Sequence, residues 1–289
     1  MFYICEQIST NMNIYNQTSF KTSKFITKSY STSFYMSTRL LEKETQEAIF
    51  AIYGFVRFAD EIVDTFHEFD KKQLLADFES DLKKAIATKV SMNPVLHAFQ
   101  LVVNHHKIPY ELIDAFLKSM RADLHKQVYE NKHETDNYIF GSANVVGLIC
   151  LKVFTNGDDK AYEKLREPAM KLGSAFQKVN FLRDLHTDIH DLQRFYFGAY
   201  DFKDFNEEAK CSIIDEIKVE FDEAYAGIQQ LPGRSKLAVL TAYYYYLSLL
   251  KKIETTPASQ IMDMRVRVPN SIKTLLLIKA MFMYKLKLI

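Results

Sequence analysis

The scarcity of glycine and proline constrains this chain more than any other feature of its sequence. Eight glycines and six prolines occur among 289 residues, well below the roughly 12% that the two contribute on average. Few residues that break helices or make tight turns favour long helices over a many-stranded sheet. Because 48% of the residues are hydrophobic, the chain can also bury a large core. We therefore expect an all-α fold.

Apolar residues recur at three- and four-residue spacing along most of the chain, which is the pattern of amphipathic helices. In 45–66 they form a wide face that a helix would bury. The pattern also predicts helices over 71–89, 94–106, 109–129, 207–230, 235–254 and 271–288, and one or two long helices over 159–192. The small residues of 136–155 suggest close helix packing or a wall beside a ligand. Residues 256–270 are expected to form a loop, and Pro168 is expected near a helix start. The chain has no sustained alternation of polar and apolar residues, which is the pattern that would argue for a sheet.

The N-terminal segment differs in composition from the rest of the chain. Residues 1–29 are rich in serine, threonine, asparagine and lysine, and we expect a loose arm or a short helix there. No linker, repeat or low-complexity tract divides the remainder. Residues 30–289 are therefore predicted to form a single helical domain.

Charge and cysteine content exclude several classes of function. With 37 basic and 36 acidic residues the net charge is +1, so the overall charge does not indicate a nucleic-acid-binding protein. Cys5, Cys150 and Cys211 are far apart and show no CxxC spacing, which indicates neither a disulfide framework nor a zinc site. No apolar run of 18 residues and no signal-peptide pattern is present. A cytoplasmic, reducing location is expected.

Two segments each carry a pair of aspartates four residues apart. Asp60 and Asp64 lie in the first, and Asp184 and Asp188 lie in the second, with an arginine shortly before each pair. On a helix this spacing places both carboxylates on one face, one turn apart, where they repel each other. A single pair of this kind is most often a solvated helix face. Two pairs in apolar surroundings favour a shared function.

Magnesium chemistry would explain such pairs. Mg²⁺ is commonly held by one or two carboxylates together with substrate phosphates, so two facing helices of this kind could bind the ion against a diphosphate. The metal would neutralise the leaving group, and arginines would hold its oxygens. An allylic carbocation would then need a dry, aromatic pocket, and the chain contains 22 Phe and 17 Tyr. The pairs alone do not separate coupling from cyclisation.

The wider context of both segments resembles the squalene/phytoene synthase family. The resemblance rests on several motifs in order: 31–34 (STSF), 51–64 (AIYGFVRFADEIVD), 140–147 (FGSANVVG), 177–188 (QKVNFLRDLHTD) and 194–197 (RFYF). It runs from about residue 25 to residue 270. Within the family, the chain is most similar to phytoene synthases of flavobacterial type. The resemblance implies an isoprenoid-synthase-like helical bundle around a central pocket.

The resemblance also implies roles for individual residues. The implied catalytic residues are Asp60, Asp64, Asp184, Asp188, Tyr53 and Arg57. The implied magnesium ligands are Asp60, Asp64, Asn180, Asp184 and Asp188, with Mn²⁺ as an alternative ion. The implied substrate-binding residues are Ser33, Phe34, Arg57, Tyr138, Gln177, Asn180, Arg183, Tyr246 and Arg265. The chain departs from some relatives at Tyr30 and Thr32, where they have His and Lys, and at Gly198, where a proline often follows.

The implied activity is a prenyltransferase reaction of the 15-cis-phytoene synthase type. Two geranylgeranyl diphosphates would join head to head through a cyclopropylcarbinyl diphosphate and release diphosphate, as a step of carotenoid biosynthesis. NADPH is not expected, because phytoene synthases lose a proton where squalene synthases accept a hydride. Two alternatives stay open: a dehydrosqualene- or squalene-type synthase using two farnesyl diphosphates, and a non-catalytic assembly factor of the same family. A terpene cyclase would also use aspartate-rich helices, but the motifs at 180–188 and 194–197 argue against it. The expected partners are the isoprenoid diphosphates and downstream carotenoid enzymes, and no nucleic acid.

Two further features lie towards the C-terminus. Four consecutive tyrosines at 243–246 would point in four directions on a helix, and only Tyr246 is expected in the pocket. The run 274–289 is apolar with three lysines. It is interpreted as a helix packed on its own domain or, alternatively, as a peripheral contact with the inner face of the membrane. His186 is expected beside the metal site rather than in it, since Mg²⁺ prefers oxygen ligands.

Overall fold

The computed structural model describes residues 2–198 and 205–286. Every regular element among these residues is helical, and one isolated parallel bridge joins Val128 to Phe195. The all-α prediction is confirmed. The chain divides into two compact units, Met1–Pro109 and Tyr110–Ile289. The prediction of a single domain from residue 30 onward stays a prediction.

The first unit is built around a long central helix. Its elements are α1 (Phe2–Tyr30), α2 (Thr32–Thr38), α3 (Lys43–Asp64), α4 (Lys71–Thr88) and α5 (Pro94–His105). The predicted helices over 45–66, 71–89 and 94–106 are confirmed. Helix α3 packs against α1, α4 and α5, and its buried Phe55 stacks on Phe99 of α5 with ring centroids 4.1 Å apart. Asp70 and Asn93 cap the N-termini of α4 and α5 with their side chains, as their residue types favour.

The N-terminal segment is not a loose arm or a short helix. It forms the 29-residue α1, which packs against α3 and α5. Its buried residues include Ser19, Ser23 and Thr27, which are fully inaccessible to solvent. Each of these hydroxyls donates to the backbone carbonyl four residues earlier. A polar sequence can therefore be buried here because its helix satisfies its own polar groups.

The second unit contains the remaining described helices. They are α6 (Tyr110–Asp123), α7 (Lys132–Ile139), a π-helix (Phe140–Asn144), α8 (Val145–Thr155), α9 (Asp159–His190), α10 (Glu207–Ile228), α11 (Gly233–Glu254), α12 (Ala258–Asp263) and α13 (Asn270–Lys285). Helix α9 is the longest and packs against α8, α10, α11 and α12. The predicted helices over 159–192, 207–230 and 235–254 are confirmed in position, and the one over 271–288 is confirmed up to residue 285.

Three local predictions are wrong. Helix α6 ends at Asp123 instead of reaching residue 129, because the backbone of Gln127 and Tyr129 pairs with Phe195. The expected loop at 256–270 contains α12. Pro168 lies inside α9 and not near its start. It packs against Gly227 of α10, where an added Cβ would come within 2.2 Å of the proline Cβ.

The continuous helical stretch Lys132–Thr155 is long and apolar enough to cross a membrane by length and composition. Half of its most apolar window is buried inside the protein. Gly141, at the π-helix, lies close to α6, where an added Cβ would come within 2.7 Å of the Ala115 carbonyl oxygen. Burial of this kind is expected of a core helix in a globular fold.

A buried histidine joins α1 to α5. His97 is fully inaccessible to solvent. Its Nδ1 accepts a hydrogen bond from the Ser91 backbone N–H at 3.2 Å, and its Nε2 lies 2.7 Å from Asn16 Oδ1. Only the neutral Nε2–H tautomer makes both bonds. Burial lowers the pKa of His97 below its ordinary value of 6.5.

We expect acid to destabilise the first unit through His97. The unfolded chain takes up a proton at the ordinary pKa of 6.5, whereas the folded chain resists protonation. The contribution is therefore fully present above pH 6.5 and is lost as the pH falls through the lower folded-state pKa. Urea denaturation from about pH 8 to about pH 5 measures it. His97→Gln should weaken this dependence, and the exposed control His133→Gln should keep it; equal slopes in wild type and His97→Gln would contradict the assignment.

Candidate active site

A polar stripe runs along one face of α3. Tyr53, Arg57, Asp60 and Asp64 follow each other at four-, three- and four-residue spacing and are all half-buried. The opposite face is buried and carries apolar residues such as Phe55 and the alanines. The predicted helix thus places both carboxylates of the first pair on a surface that is neither core nor fully solvated.

Arg57 is the best-anchored side chain of this stripe. Its guanidinium donates to Glu61 Oε2 from Nε at 3.1 Å and from Nη2 at 2.5 Å, and its Nη1 lies 3.6 Å from Asp60 Oδ2. The ring of Tyr30 covers it at 4.4 Å. Burial alone would lower the pKa of Arg57, but Asp60 and Glu61 outweigh that effect and raise it. The cation is therefore fixed beside the carboxylate pair.

The start of α2 lies against this stripe. Phe34 stacks on Tyr53 with ring centroids 4.9 Å apart. The helix begins after Ser31, whose side chain accepts from the Phe34 backbone N–H. Ser33 lies next to Phe34 and is exposed only in part. The first unit thus brings together the predicted residues Phe34, Tyr53, Arg57 and Asp60.

A second polar stripe runs along α9. Gln177, Asn180, Asp184 and Asp188 share one face at three- and four-residue spacing, and all four are half-buried. Helix α10 fixes this segment from the other side. There the buried Lys178 donates to Glu216 Oε1 at 2.6 Å and to Glu220 Oε1 at 2.8 Å. These two ion pairs oppose rotation of α9 about its axis, because rotation would leave the buried ammonium of Lys178 without a partner.

Two arginines hold Asp184. Arg183 contacts its two oxygens from Nε at 3.0 Å and from Nη2 at 2.5 Å. Arg265, in the segment after α12, lies 2.6 Å from Oδ1 through its Nε. Burial lowers the pKa of Arg183, yet Asp184 more than compensates and raises it. His186 donates from Nδ1 to the Met262 carbonyl at 2.9 Å, so it stands beside the pair and helps to hold α12.

Tyr246 is the tyrosine of the 243–246 run that reaches the α9 stripe. Its hydroxyl donates to Asn180 Oδ1 at 3.1 Å, and its ring stacks on Phe176 at 3.9 Å. Burial raises the pKa of Tyr246, although Arg183 acts in the opposite direction. Tyr243 packs on Phe221, as expected of a packing residue.

An aromatic cluster surrounds a buried carboxylate in the same unit. Tyr138 donates to Asp123 Oδ2 at 2.8 Å, and Arg194 donates to the Asp123 carbonyl at 3.0 Å. Tyr196 stacks on Tyr138 and, with centroids 4.1 Å apart, on Phe181 of α9. Burial first, and then Asp123, raise the pKa of Tyr138. Its phenol therefore keeps its proton and acts as a donor.

Sequence reasoning missed several of these residues. Asp123 carried a readable signal, because it continues the apolar face of Phe116 and Met120 on α6. An acidic residue in such a register points to a buried partner. Tyr30 and Glu61 carried no comparable signal. Tyr30 in particular covers Arg57.

The donor set of each stripe fits magnesium. Among the described residues no group of three or more His, Cys, Asp or Glu is placed to hold an ion alone. Each stripe offers two carboxylates one turn apart, with an arginine beside each pair. Two carboxylates are too few for a site made only of protein ligands, as Ca²⁺ and structural Zn²⁺ sites are. They suit an ion whose remaining ligands are water and substrate phosphates. Asp60 and Asp64 would hold such an ion on α3, and Asp184 and Asp188, with Asn180, would hold one on α9.

The comparison with protein families decides the identity of the chain. The squalene/phytoene synthase model matches residues 27–271. The chain belongs to this family. Membership places it among prenyltransferase-type enzymes of isoprenoid and carotenoid biosynthesis, and the resemblance read from the motifs is confirmed at the level of the family.

Curated relatives are moderately similar to this family member. A 4,4'-diapophytoene synthase of Staphylococcus haemolyticus is 28% identical over 67% of this chain and 65% of its own length. A 15-cis-phytoene synthase of Pantoea ananas is 26% identical over 86% of this chain and 87% of its own length. A 15-cis-phytoene synthase of Synechocystis is 28% identical over 87% and 81%.

Solved structures share the fold. A dehydrosqualene synthase crystallised with a ligand has a TM-score of 0.80 at 22% identity and covers 93% of this chain and 98% of its own. The squalene synthase HpnC of Alicyclobacillus acidocaldarius has a TM-score of 0.72 at 20% identity, over 83% and 94%. The predicted synthase-like helical fold is confirmed.

We expect Tyr138→Phe to destabilise the protein. The substitution keeps the ring stacked on Tyr196 but removes a donor from the buried Asp123. A buried acceptor that loses a partner costs about 1–3 kcal/mol. Urea denaturation followed by circular dichroism measures the loss. Tyr284→Phe, which removes a hydroxyl from an exposed bond to the Gly233 carbonyl, is the control and should change stability by less than about 0.5 kcal/mol. Equal effects of the two substitutions would show that the bond to Asp123 contributes nothing.

Proposed function

We propose that this squalene/phytoene synthase family member is a magnesium-dependent phytoene synthase. It couples two geranylgeranyl diphosphates head to head through a cyclopropylcarbinyl diphosphate and releases two diphosphates. The observation that carries the proposal is the pair of half-buried aspartate stripes, each with an arginine on the same surface.

Arginines and metal-binding carboxylates have different roles when the diphosphate leaves. Magnesium, when bound, neutralises charge on the leaving diphosphate. Arg57, Arg183 and Arg265 each contact a carboxylate. We propose that they hold diphosphate oxygens when substrate binds, because the planar guanidinium pairs with phosphate as it does with carboxylate. Asn180, oriented by Tyr246, offers a neutral polar contact on the α9 stripe.

Buried aromatic residues are suited to shield the carbocation that forms when diphosphate leaves. Tyr138, Tyr196 and Phe181 are buried and stacked, and aromatic faces stabilise a carbocation while excluding water. Because the pKa values of Tyr138 and Tyr246 are raised, these phenols act as hydrogen-bond donors and not as bases. The departing diphosphate is suited to accept the proton lost in the last step.

The choice of C20 over C15 substrate is the finer part of the proposal. Two 15-cis-phytoene synthases match the chain over more than four fifths of their length, whereas the 4,4'-diapophytoene synthase matches over 65%. We accordingly favour geranylgeranyl diphosphate. A synthase using two farnesyl diphosphates is the second candidate, since a dehydrosqualene synthase has the most similar fold among the two structures compared. We propose no NADPH requirement, Mn²⁺ as an alternative ion, and a cytoplasmic location.

Product chain length tests the substrate. Purified protein incubated with Mg²⁺ and equal amounts of geranylgeranyl and farnesyl diphosphate, without NADPH, should yield mainly the C40 triene. Mass spectrometry of the extracted hydrocarbons reads the outcome. A predominant C30 product would overturn the C20 assignment and keep the coupling reaction. Absence of any coupled hydrocarbon with either substrate would refute the proposed function.

Removal of one metal-binding carboxylate tests the site. Asp60→Asn and Asp184→Asn should each lower kcat by roughly two to three orders of magnitude, the effect typical of losing a group that stabilises developing charge. The fold should persist, because neither substitution exposes core. Asp215→Asn, which neutralises an exposed carboxylate on α10, is the matched control and should retain full turnover. Near-normal turnover of either site variant would show that its carboxylate binds no catalytic metal.

A further inference from the structure

Helix α13 presents an unusual outer face. Of its residues only Ala280 is buried. Leu275, Ile278, Phe282 and Leu286 are 61%, 56%, 61% and 51% exposed. Their spacing of three, four and four residues places them in one line along the helix. Single exposed apolar residues are ordinary, but a continuous line marks an interaction surface.

The inner face of α13 is fixed to its own unit. The helix packs against α11, where Lys279 and Lys273 lie over the rings of Tyr244 and Tyr245 at 4.4 and 5.4 Å. Tyr284 donates to the Gly233 carbonyl at 3.2 Å. The rotation of the helix is therefore set by its inner contacts, and the apolar line faces outward as a consequence.

The charge of this region is one-sided. From residue 264 to the end of the sequence there are six basic residues and no acidic ones, whereas the whole chain is nearly neutral at +1. At about 100° per residue, Lys279 lies about 60° to one side of Phe282 and Lys285 about 60° to the other. A lysine thus stands at each edge of the apolar line: the ammonium of Lys279 leans back over Tyr244, and the long stem of Lys285 can place its charge away from the line.

We propose that α13 docks in the plane of an anionic lipid bilayer, with Leu275, Ile278, Phe282 and Leu286 in the acyl boundary and Lys285 at the headgroups. An apolar stripe between basic edges is the pattern of interfacial helices, and anionic headgroups attract each nearby lysine. A second copy of the chain fits the surface less well. Pairing of two α13 helices would bring their basic residues together with no acidic partner in the segment. The docking does not depend on the proposed reaction.

Vesicle cosedimentation tests the proposal. The full chain should pellet with vesicles containing roughly one third phosphatidylglycerol and much less with pure phosphatidylcholine. Raising salt from about 0.1 M to about 1 M, which shortens the Debye length from about 10 to about 3 Å, should weaken the binding to anionic vesicles. No binding to anionic vesicles at low salt would overturn the proposal.

Two sets of variants identify the surface. Leu275→Ser, Ile278→Ser and Phe282→Ser combined should lower the vesicle partition coefficient at least about tenfold, since binding scales with buried apolar area. The matched control combines Val90→Ser, Met92→Ser and Val219→Ser, three apolar residues exposed elsewhere, and should bind as wild type does. Lys285→Glu should reduce binding to anionic vesicles only. Circular dichroism and thermal unfolding verify that each variant is folded.

The remaining outcomes also decide the question. Equal losses in the α13 variant and its control would show general hydrophobic adsorption and overturn the assignment to α13. Sedimentation velocity distinguishes a protein partner. If the wild type is a dimer that the α13 substitutions dissociate, and vesicles do not compete with dimerisation, the face is a subunit interface and the membrane proposal fails.

Discussion

Carboxylates one turn apart on a half-buried helix face are the constraint on which the site depends. Such a pair is repulsive, and partial burial strengthens the repulsion. In each unit an arginine relieves it: Arg57 beside Asp60, and Arg183 with Arg265 beside Asp184. These arginines are in turn held by Glu61, by Tyr30 and by the packing of α12 on α9. The acidic stripe therefore determines which residues must surround it.

In α3 and α9, one face of the helix packs against its neighbours and another face carries the polar residues of the candidate site. The inner face of α3 carries large apolar residues such as Phe55, and its half-buried face carries the polar stripe. Helix α9 is fixed by Lys178 through two glutamates of α10, while Asp184 and Asp188 lie on another side. Because these ion pairs hold one side of α9 against α10, another side of the same helix can keep charged groups at its surface. The family fold meets this requirement with helices alone.

Polar burial recurs wherever helices approach closely. Ser23 of α1 lies 3.1 Å from the position that a Cβ on Gly54 would occupy, and its hydroxyl bonds to its own helix. Asp123 is buried among tyrosines that donate to it or stack around it. Buried polar groups of this kind cost little when they are satisfied. Hydrophobic periodicity does not reveal such groups, and for this reason the polar sequence of residues 1–29 predicts a loose arm or a short helix.

The sequence by itself determined the all-α class, the positions of most helices, the two aspartate pairs and the family, because helical period and short motifs are local properties. Only the tertiary structure decided that Tyr246 bonds to Asn180, that Arg265 pairs with Asp184, that Tyr138 meets Asp123, and that Pro168 sits within α9 opposite Gly227. These contacts join different elements, and the period of one helix carries no information on which neighbour it meets. The outward line on α13 was likewise decided by packing: the apolar run was visible, but the contacts with α11 determined which of its residues stay exposed.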